Sequence, residues 1–223
     1  VLLLHGLGTS AARTWGDNGW IDLLTDAGRT VLAPDLLGHG SAPKPHDPAA
    51  YDRLEELVAA ELPDEPVDAV GFSLGARVLL TLASEEPHRF HRLVVAGVGA
   101  NLFRDDGEGA ALASVLDRAD VPDDPAARYF HQLAAQPEAD PAAMAALLRR
   151  PHGRPLDPQR LARVSCPVLV VLGDRDFAGP ADPLLAALPD ATHRPLPGVD
   201  HFGTPKSFAF LDAALEFLGA VPA

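Results

Sequence analysis

The chain has 223 residues, enough for one large domain or two small ones. Its net charge of −13 argues against nucleic acid as the main partner, because phosphate binding needs clustered Lys and Arg. Hydrophobic residues at 47% exclude a disordered chain, and the single cysteine, Cys166, excludes an internal disulfide and a cysteine-built zinc site.

Strand-like apolar runs alternate with helix-like segments along the chain. In order they are Val1 to Leu4, Thr30 to Pro34, Val67 to Phe72, Leu93 to Ala96, Val168 to Leu172 and Thr192 to Leu196. Ser207 to Leu218 reads as a closing helix. Near-continuous Val and Leu runs without polar alternation indicate strands buried on both faces, hence a mostly parallel sheet with helices on both sides. No apolar run approaches the roughly 20 residues a membrane span requires. The chain begins without Met, directly in a strand. That reads as a trimmed start, and the working expectation for location is the cytoplasm.

One segment breaks the alternation. Residues 101–164 show no strand, only Ala/Leu-rich helical pieces, three of them opening on Asp-Pro: Asp124-Pro125, Asp140-Pro141 and Asp157-Pro158. An Asp caps the first free N–H groups of a helix, and Pro suits its first position. The expected organisation is a core of residues 1–100 and 165–223 carrying an inserted helical lid, 101–164. The lid is also arginine-rich, and Arg149-Arg150 could touch an anionic group, although such pairs near helix C-termini are commonly dipole-matched surface charges.

The densest chemical signal is Gly71-Phe72-Ser73-Leu74-Gly75, where the strand from Val67 gives way to a helical run from Ala76. A serine on so sharp a strand-to-helix turn projects from the sheet in a strained conformation, between neighbours that must be small. Its hydroxyl needs a base, and the base needs a carboxylate to orient it. Of nine histidines, His193 falls in a strand, His131 and His152 in the lid, and His88 and His91 after the elbow helix. His201 lies in the loop between the last strand and the closing helix, at the same sheet edge as Ser73. Two acids follow the strand from Val168, Asp174 and Asp176. Asp174 directly follows the strand glycine and suits capping of the turn, so Asp176 is the favoured partner of His201 and Asp174 the alternative. Asp200, adjacent to His201, reads as a loop-stabilising acid. Two backbone donors should face the developing oxyanion: the N–H of Leu74 at the elbow, and the N–H of Leu7 in the loop His5-Gly6-Leu7-Gly8.

With these pieces together the chain resembles the α/β-hydrolase-fold superfamily over nearly its whole length. The carrying motifs are His5-Gly6-Leu7-Gly8, Asp35-Leu36-Leu37-Gly38-His39-Gly40-Ser41, Gly71-Phe72-Ser73-Leu74-Gly75, Cys166-Pro167 before the strand ending Gly173-Asp174-Arg175-Asp176, and Asp200-His201-Phe202. The resemblance implies a nucleophile, acid and base in the order Ser73, Asp176, His201, with Asp35 and Ser41 shaping a turn. It also implies two antiparallel strands ahead of the His-Gly strand, which this chain lacks. Relatives that attack with Asp, the haloalkane dehalogenases and epoxide hydrolases, are excluded by the serine.

Acyl transfer to water follows as the expected chemistry, on small or medium carboxylic esters, with no metal or organic cofactor implied. Phe72, Trp15, Phe130, Met144 and Phe202 are the expected substrate-facing residues. Two other readings stay open. One is a different enzyme of the same scaffold: an enol-lactonase, a carbon–carbon bond hydrolase, a cofactor-free haloperoxidase or perhydrolase, or a menaquinone-pathway lyase. The other is a non-catalytic ligand-binding member.

Overall fold

The computed structural model describes residues 1–104, 108–118, 120, 123–150 and 156–221. His152 and Arg154 of the expected lid lie outside them. Among the described residues five strands build one sheet: β1 (Leu2–Leu4), β2 (Val67–Phe72), β3 (Phe90–Ala96), β4 (Val168–Gly173) and β5 (Ala191–Leu196). They run in the order β1-β2-β3-β4-β5, every neighbouring pair parallel. The helices are α1 (Trp20–Asp26), α2 (Leu54–Ala59), α3 (Leu74–Glu85), α4 (Glu108–Leu116), α5 (Pro125–Ala134), α6 (Pro141–Leu148), α7 (Pro158–Leu161), α8 (Asp182–Ala187) and α9 (Phe208–Leu218).

The alternation of strand side chains divides the core in two, as period-2 geometry requires. Leu3, Val70, Val94, Ala96, Leu169 and Val171 face a layer holding Trp20 and Leu24 of α1 and Phe210 and Ala214 of α9. Leu2, Leu4, Ala69, Leu93, Val95, Val168, Val170 and Leu172 face the opposite layer, with residues of α2, α3, α7 and α8. Burial on both sides explains why these strands read as unbroken apolar runs.

The segment Thr30 to Pro34 departs from expectation. Only Leu32 pairs, in a single parallel bridge to Leu2, with Leu3 N–H donating to Leu32 O (2.8 Å) and Leu32 N–H to Val1 O (2.9 Å). The segment lies at the sheet edge, and Pro34 has no N–H to continue a ladder. Its position nevertheless sets the topology. From β1 the chain passes through α1 to this edge, then returns through α2 to β2 on the other side of β1. The winding therefore reverses between β1 and β2, the place where open parallel sheets hold their ligands, beyond the strands' carboxyl ends.

Between β3 and β4 the described residues hold helices and no strand. All three Asp-Pro starts cap their helices: Asp124 accepts from Ala127 N–H, Asp140 from Ala143 N–H and Asp157 from Arg160 N–H. Among the described residues no helix is long and apolar enough to cross a membrane.

Candidate active site

Ser73 is the single residue between β2 and α3, at φ 52° and ψ −109°, the one non-glycine at positive φ among the described residues. Two features force this turn. Ser73 N–H donates to Ala96 O (2.8 Å), extending the β2–β3 ladder to the last possible position. One residue later α3 must start, and it runs so close to β1 that a Cβ on Gly75 would stand 2.1 Å from Leu4 O. A Cβ on Gly71 would meet Ala76 N at 2.7 Å, so both flanking glycines are steric necessities. The strain of a non-glycine residue in such a conformation is of order 1–3 kcal/mol, held in place by packing on both sides.

Because all five strands are parallel, the loops after β1, β2, β4 and β5 meet at one edge. The loop after β5 brings His201 and the loop after β4 brings Asp176. His201 Nδ1–H donates to Asp176 Oδ1 (2.9 Å) and Oδ2 (3.0 Å), and Ser73 Oγ–H donates to His201 Nε2 (3.1 Å). The tautomer follows from the partners. An ionised carboxylate only accepts, so Nδ1 carries the proton and the Nε2 lone pair is turned to the hydroxyl. Imidazole and carboxylate are both buried, whereas Ser73 is part-exposed. Phe72 and Phe177 lie against the imidazole at centroid distances of 4.9 and 4.3 Å, and Phe202 meets it edge-on at 5.4 Å. Asp174 takes no part: its Oδ1 accepts from Gly198 N–H (2.8 Å). Asp200 likewise closes its own loop by accepting from Gly203 N–H (2.8 Å).

The loop after β1 is locked from both sides. His5 Nδ1–H donates to Gly6 O (2.8 Å), and its Nε2 accepts from Leu36 N–H (3.0 Å). Both ring nitrogens are thus committed in the neutral form, and complete burial, the main cause, holds the pKa below its ordinary value. His5 O in turn accepts from Gly75 N–H (3.1 Å), tying this loop to the start of α3. Among the described residues neither Leu7 N–H nor Leu74 N–H has a hydrogen-bond acceptor. Asp35 organises the neighbouring turn, accepting from Ala11 N–H (2.8 Å), Ser41 N–H (2.7 Å) and Ser41 Oγ–H (2.9 Å).

A cleft opens over Ser73. Leu7, Phe72, Phe130, Phe202 and His201 line it, together with Tyr129 and Leu133 of α5. Tyr129 stacks on Phe202 at 3.5 Å. Trp15 and Met144 are elsewhere. Trp15 is fully buried in the α1/α9 layer, edge-to-face with Trp20 at 5.0 Å, because the residues following β1 turn back under that face of the sheet. Met144 is buried in the opposite layer and packs near Gly8, where a Cβ on that glycine would stand 2.8 Å from its Cε. Arg149 and Arg150 are engaged by Asp117 and Glu55, and neither lines the cleft. Reading the sequence missed the polar wall: Thr9, Arg13, Thr14, Asn18 and Lys206. Lys206 carries a signal in hindsight, five residues beyond His201 in the same turn.

A strained serine, an imidazole aimed at it and a buried carboxylate fixing that imidazole can together move a proton off the hydroxyl during attack on a carbonyl. The chain belongs to the alpha/beta hydrolase family, whose pattern matches residues 1–219. It is 41% identical over 101 residues to a pimeloyl-[acyl-carrier protein] methyl ester esterase of Aromatoleum aromaticum, a match covering 44% of this chain and 36% of the esterase. An uncharacterised protein of Mycobacterium bovis is 38% identical over 102 residues, covering 44% of this chain and 29% of that protein. The chain therefore spans about a third of the length of these curated relatives. A solved serine hydrolase involved in carbazole degradation is 26% identical, with a TM-score of 0.71, over 98% of this chain and 90% of that structure.

Proposed function

We propose that the chain is a serine hydrolase acting on small or medium carboxylic esters through an acyl-enzyme. Ser73 is the nucleophile, His201 the general base and then acid, and Asp176 the carboxylate that orients it. The N–H groups of Leu7 and Leu74 form the oxyanion hole. The observation carrying this reading is the continuous hydrogen-bonded line from Ser73 Oγ through His201 to Asp176, built on the one strained non-glycine among the described residues. In attack, Ser73 Oγ forms the bond to the acyl carbon as its proton passes to His201 Nε2. The alcohol leaves with that proton, and water repeats the sequence to free the acid. The Asp176 carboxylate stabilises the transient imidazolium without itself being protonated.

Residues 101–164 act as a lid whose helix α5 lays Tyr129, Phe130 and Leu133 against the cleft. The acyl chain seats against these residues with Phe72 and Phe202, giving apolar contact beside a few polar groups.

Labelling with a fluorophosphonate probe, with the modified residue located by mass spectrometry, tests the assignment alongside turnover of 4-nitrophenyl acetate and butyrate. Labelling at Ser73 with steady release of nitrophenol is the expected result. Folded protein that neither labels nor turns over ester would overturn the reading in favour of ligand binding.

A further inference from the structure

The cleft over Ser73 has two unlike walls. One is aromatic and aliphatic, from Tyr129, Phe130, Leu133 and Phe202. The other is polar and carries two cations, Arg13 and Lys206, beside Thr9, Thr14 and Asn18. In a chain of net charge −13 with two lysines, a cation on this wall is against the overall balance.

The two lysines are used differently. Lys44 donates to backbone carbonyls of its own turn, Gly40 O and Ala42 O. Lys206 is exposed and has no acid or carbonyl partner among the described residues. Its backbone is nevertheless well placed. It ends the short turn Thr204–Lys206, where Lys206 N–H donates to Gly203 O (3.1 Å) and Thr204 Oγ1–H to Asp200 O (3.0 Å). Buried Trp20 donates its indole N–H to Pro205 O (3.3 Å). The backbone of Lys206 is thereby held at a fixed offset from His201, while its ammonium is left to a partner.

Arg13 is matched by Glu138, 3.0 Å away, so that pair is neutral as it stands. Asp200, in the loop that carries His201, is directed into that loop by accepting from Gly203 N–H. Neither acid neutralises Lys206.

We infer that the preferred ester carries a carboxylate remote from the scissile bond, and that Lys206 is the residue that selects it. This rests on the esterase reading above and narrows it to half-esters of dicarboxylic acids, or esters otherwise bearing a terminal carboxylate. The methylene chain lies on the aromatic wall, the scissile carbonyl faces Ser73, and the remote carboxylate accepts from the Lys206 ammonium, with Arg13 alongside. A charge-assisted contact of this kind, at a half-exposed mouth, is strengthened by the apolar wall opposite and weakened by salt.

Two esters of equal chain length decide it: mono(4-nitrophenyl) adipate, which bears the carboxylate, and neutral 4-nitrophenyl hexanoate. The wild-type chain should prefer the adipate in kcat/KM, mainly through a lower KM, and the preference should fall as NaCl is raised from 20 to 500 mM. In Lys206→Gln the adipate-to-hexanoate ratio should drop about tenfold, and Lys206→Arg should recover most of it. An equal ratio in wild type and Lys206→Gln, or a preference insensitive to salt, overturns the selection by Lys206. Hydrolysis of hexanoate with no preference for adipate overturns the substrate class and leaves the esterase reading standing. Failure to hydrolyse either ester removes the esterase reading and this inference with it.

Discussion

His201 Nε2 stands 3.1 Å from Ser73 Oγ across 128 positions of sequence, and neither side chain is free to leave. The serine is pinned by the elbow, and the imidazole is held at its far nitrogen by Asp176 and packed between Phe72 and Phe177. On the proposed reading this proximity is fixed before an ester arrives, which is the condition for efficient proton transfer in the transition state.

Removing the Ser73 hydroxyl separates chemistry from fold. Ser73→Ala should lower kcat/KM for a simple ester by on the order of 10⁴ to 10⁶-fold, with the circular dichroism unchanged. Ser73→Gly should be equally inactive yet more stable than Ser73→Ala by about 1 kcal/mol, because glycine relieves the strain at φ 52°. Paired activity and urea-denaturation measurements check both points. A serine-free variant that keeps a tenth of the activity would remove Ser73 from its role.

The two acids after β4 should behave oppositely. Asp176→Asn leaves an amide facing His201 Nδ1 and favours the wrong tautomer, so kcat/KM should fall by roughly 10³ to 10⁴-fold. Asp174→Asn disturbs only a turn, through the contact with Gly198 N–H, and its activity should stay within about tenfold of wild type. If Asp174→Asn proves the more damaging, the assignment of the carboxylate is wrong.

Much of this arrangement was legible because it is local. A parallel sheet places every strand's carboxyl end at one edge, so a residue's distance from its strand locates it in space. That is how Ser73, Asp176 and His201 could be brought to one edge from the sequence, and how the Asp-Pro pairs could be read as helix starts. Trp15 and Met144 were misplaced because an aromatic ring or a thioether serves core and cleft equally well. Which of the two it meets depends on how the loop after β1 and the helix α6 dock, and no periodicity in those short segments records it. The polar wall was invisible for a related reason. Arg13 and Lys206 come from loops almost 200 positions apart, and only the closed fold shows them lining one cleft. At Thr30 to Pro34 the apolar run was real, but an edge position and a proline reduced it to one bridge.

Gly75 tests how tightly the elbow is built. A methyl group there would meet Leu4 O at 2.1 Å, Leu4 C at 2.5 Å and Leu4 Cβ at 2.7 Å. The first two are backbone atoms of a buried strand and cannot rotate away. Gly75→Ala should therefore destabilise the fold by about 3 kcal/mol or more, despite alanine's better helix propensity. Thermal denaturation checks this. A variant as stable as wild type would mean that α3 does not approach β1 so closely.

The stability of the fold should decline in mild acid, and His39 is the reporter. Burial, reinforced by the neighbouring His5 ring 5.1 Å away, pushes its pKa down to about 3, and burial lowers His5 as well. Unfolding frees both rings to titrate near the ordinary value of about 6.5. Between that value and about 3 the unfolded chain binds a proton at His39 that the native chain refuses, so native stability is full above pH 6.5 and lost as pH falls through this window. For His39 the loss is about 1.4 kcal/mol per pH unit, or roughly 2 kcal/mol at pH 5. Asp35 does not act in this range. Burial works to raise its pKa, but the N–H groups of Ser41 and Ala11 and the Ser41 hydroxyl hold it below the usual carboxylate value, so its contribution disappears only at lower pH. His39→Asn retains a donor able to reach Leu37 O, the acceptor of His39 Nδ1–H at 3.1 Å, while removing the titrating group. Urea unfolding at pH 7 and pH 5 should show the pH-dependent loss shrinking by about 2 kcal/mol in this variant relative to wild type. Equal losses in the two proteins would mean that His39 accepts its proton inside the fold, and the burial argument for it would fail.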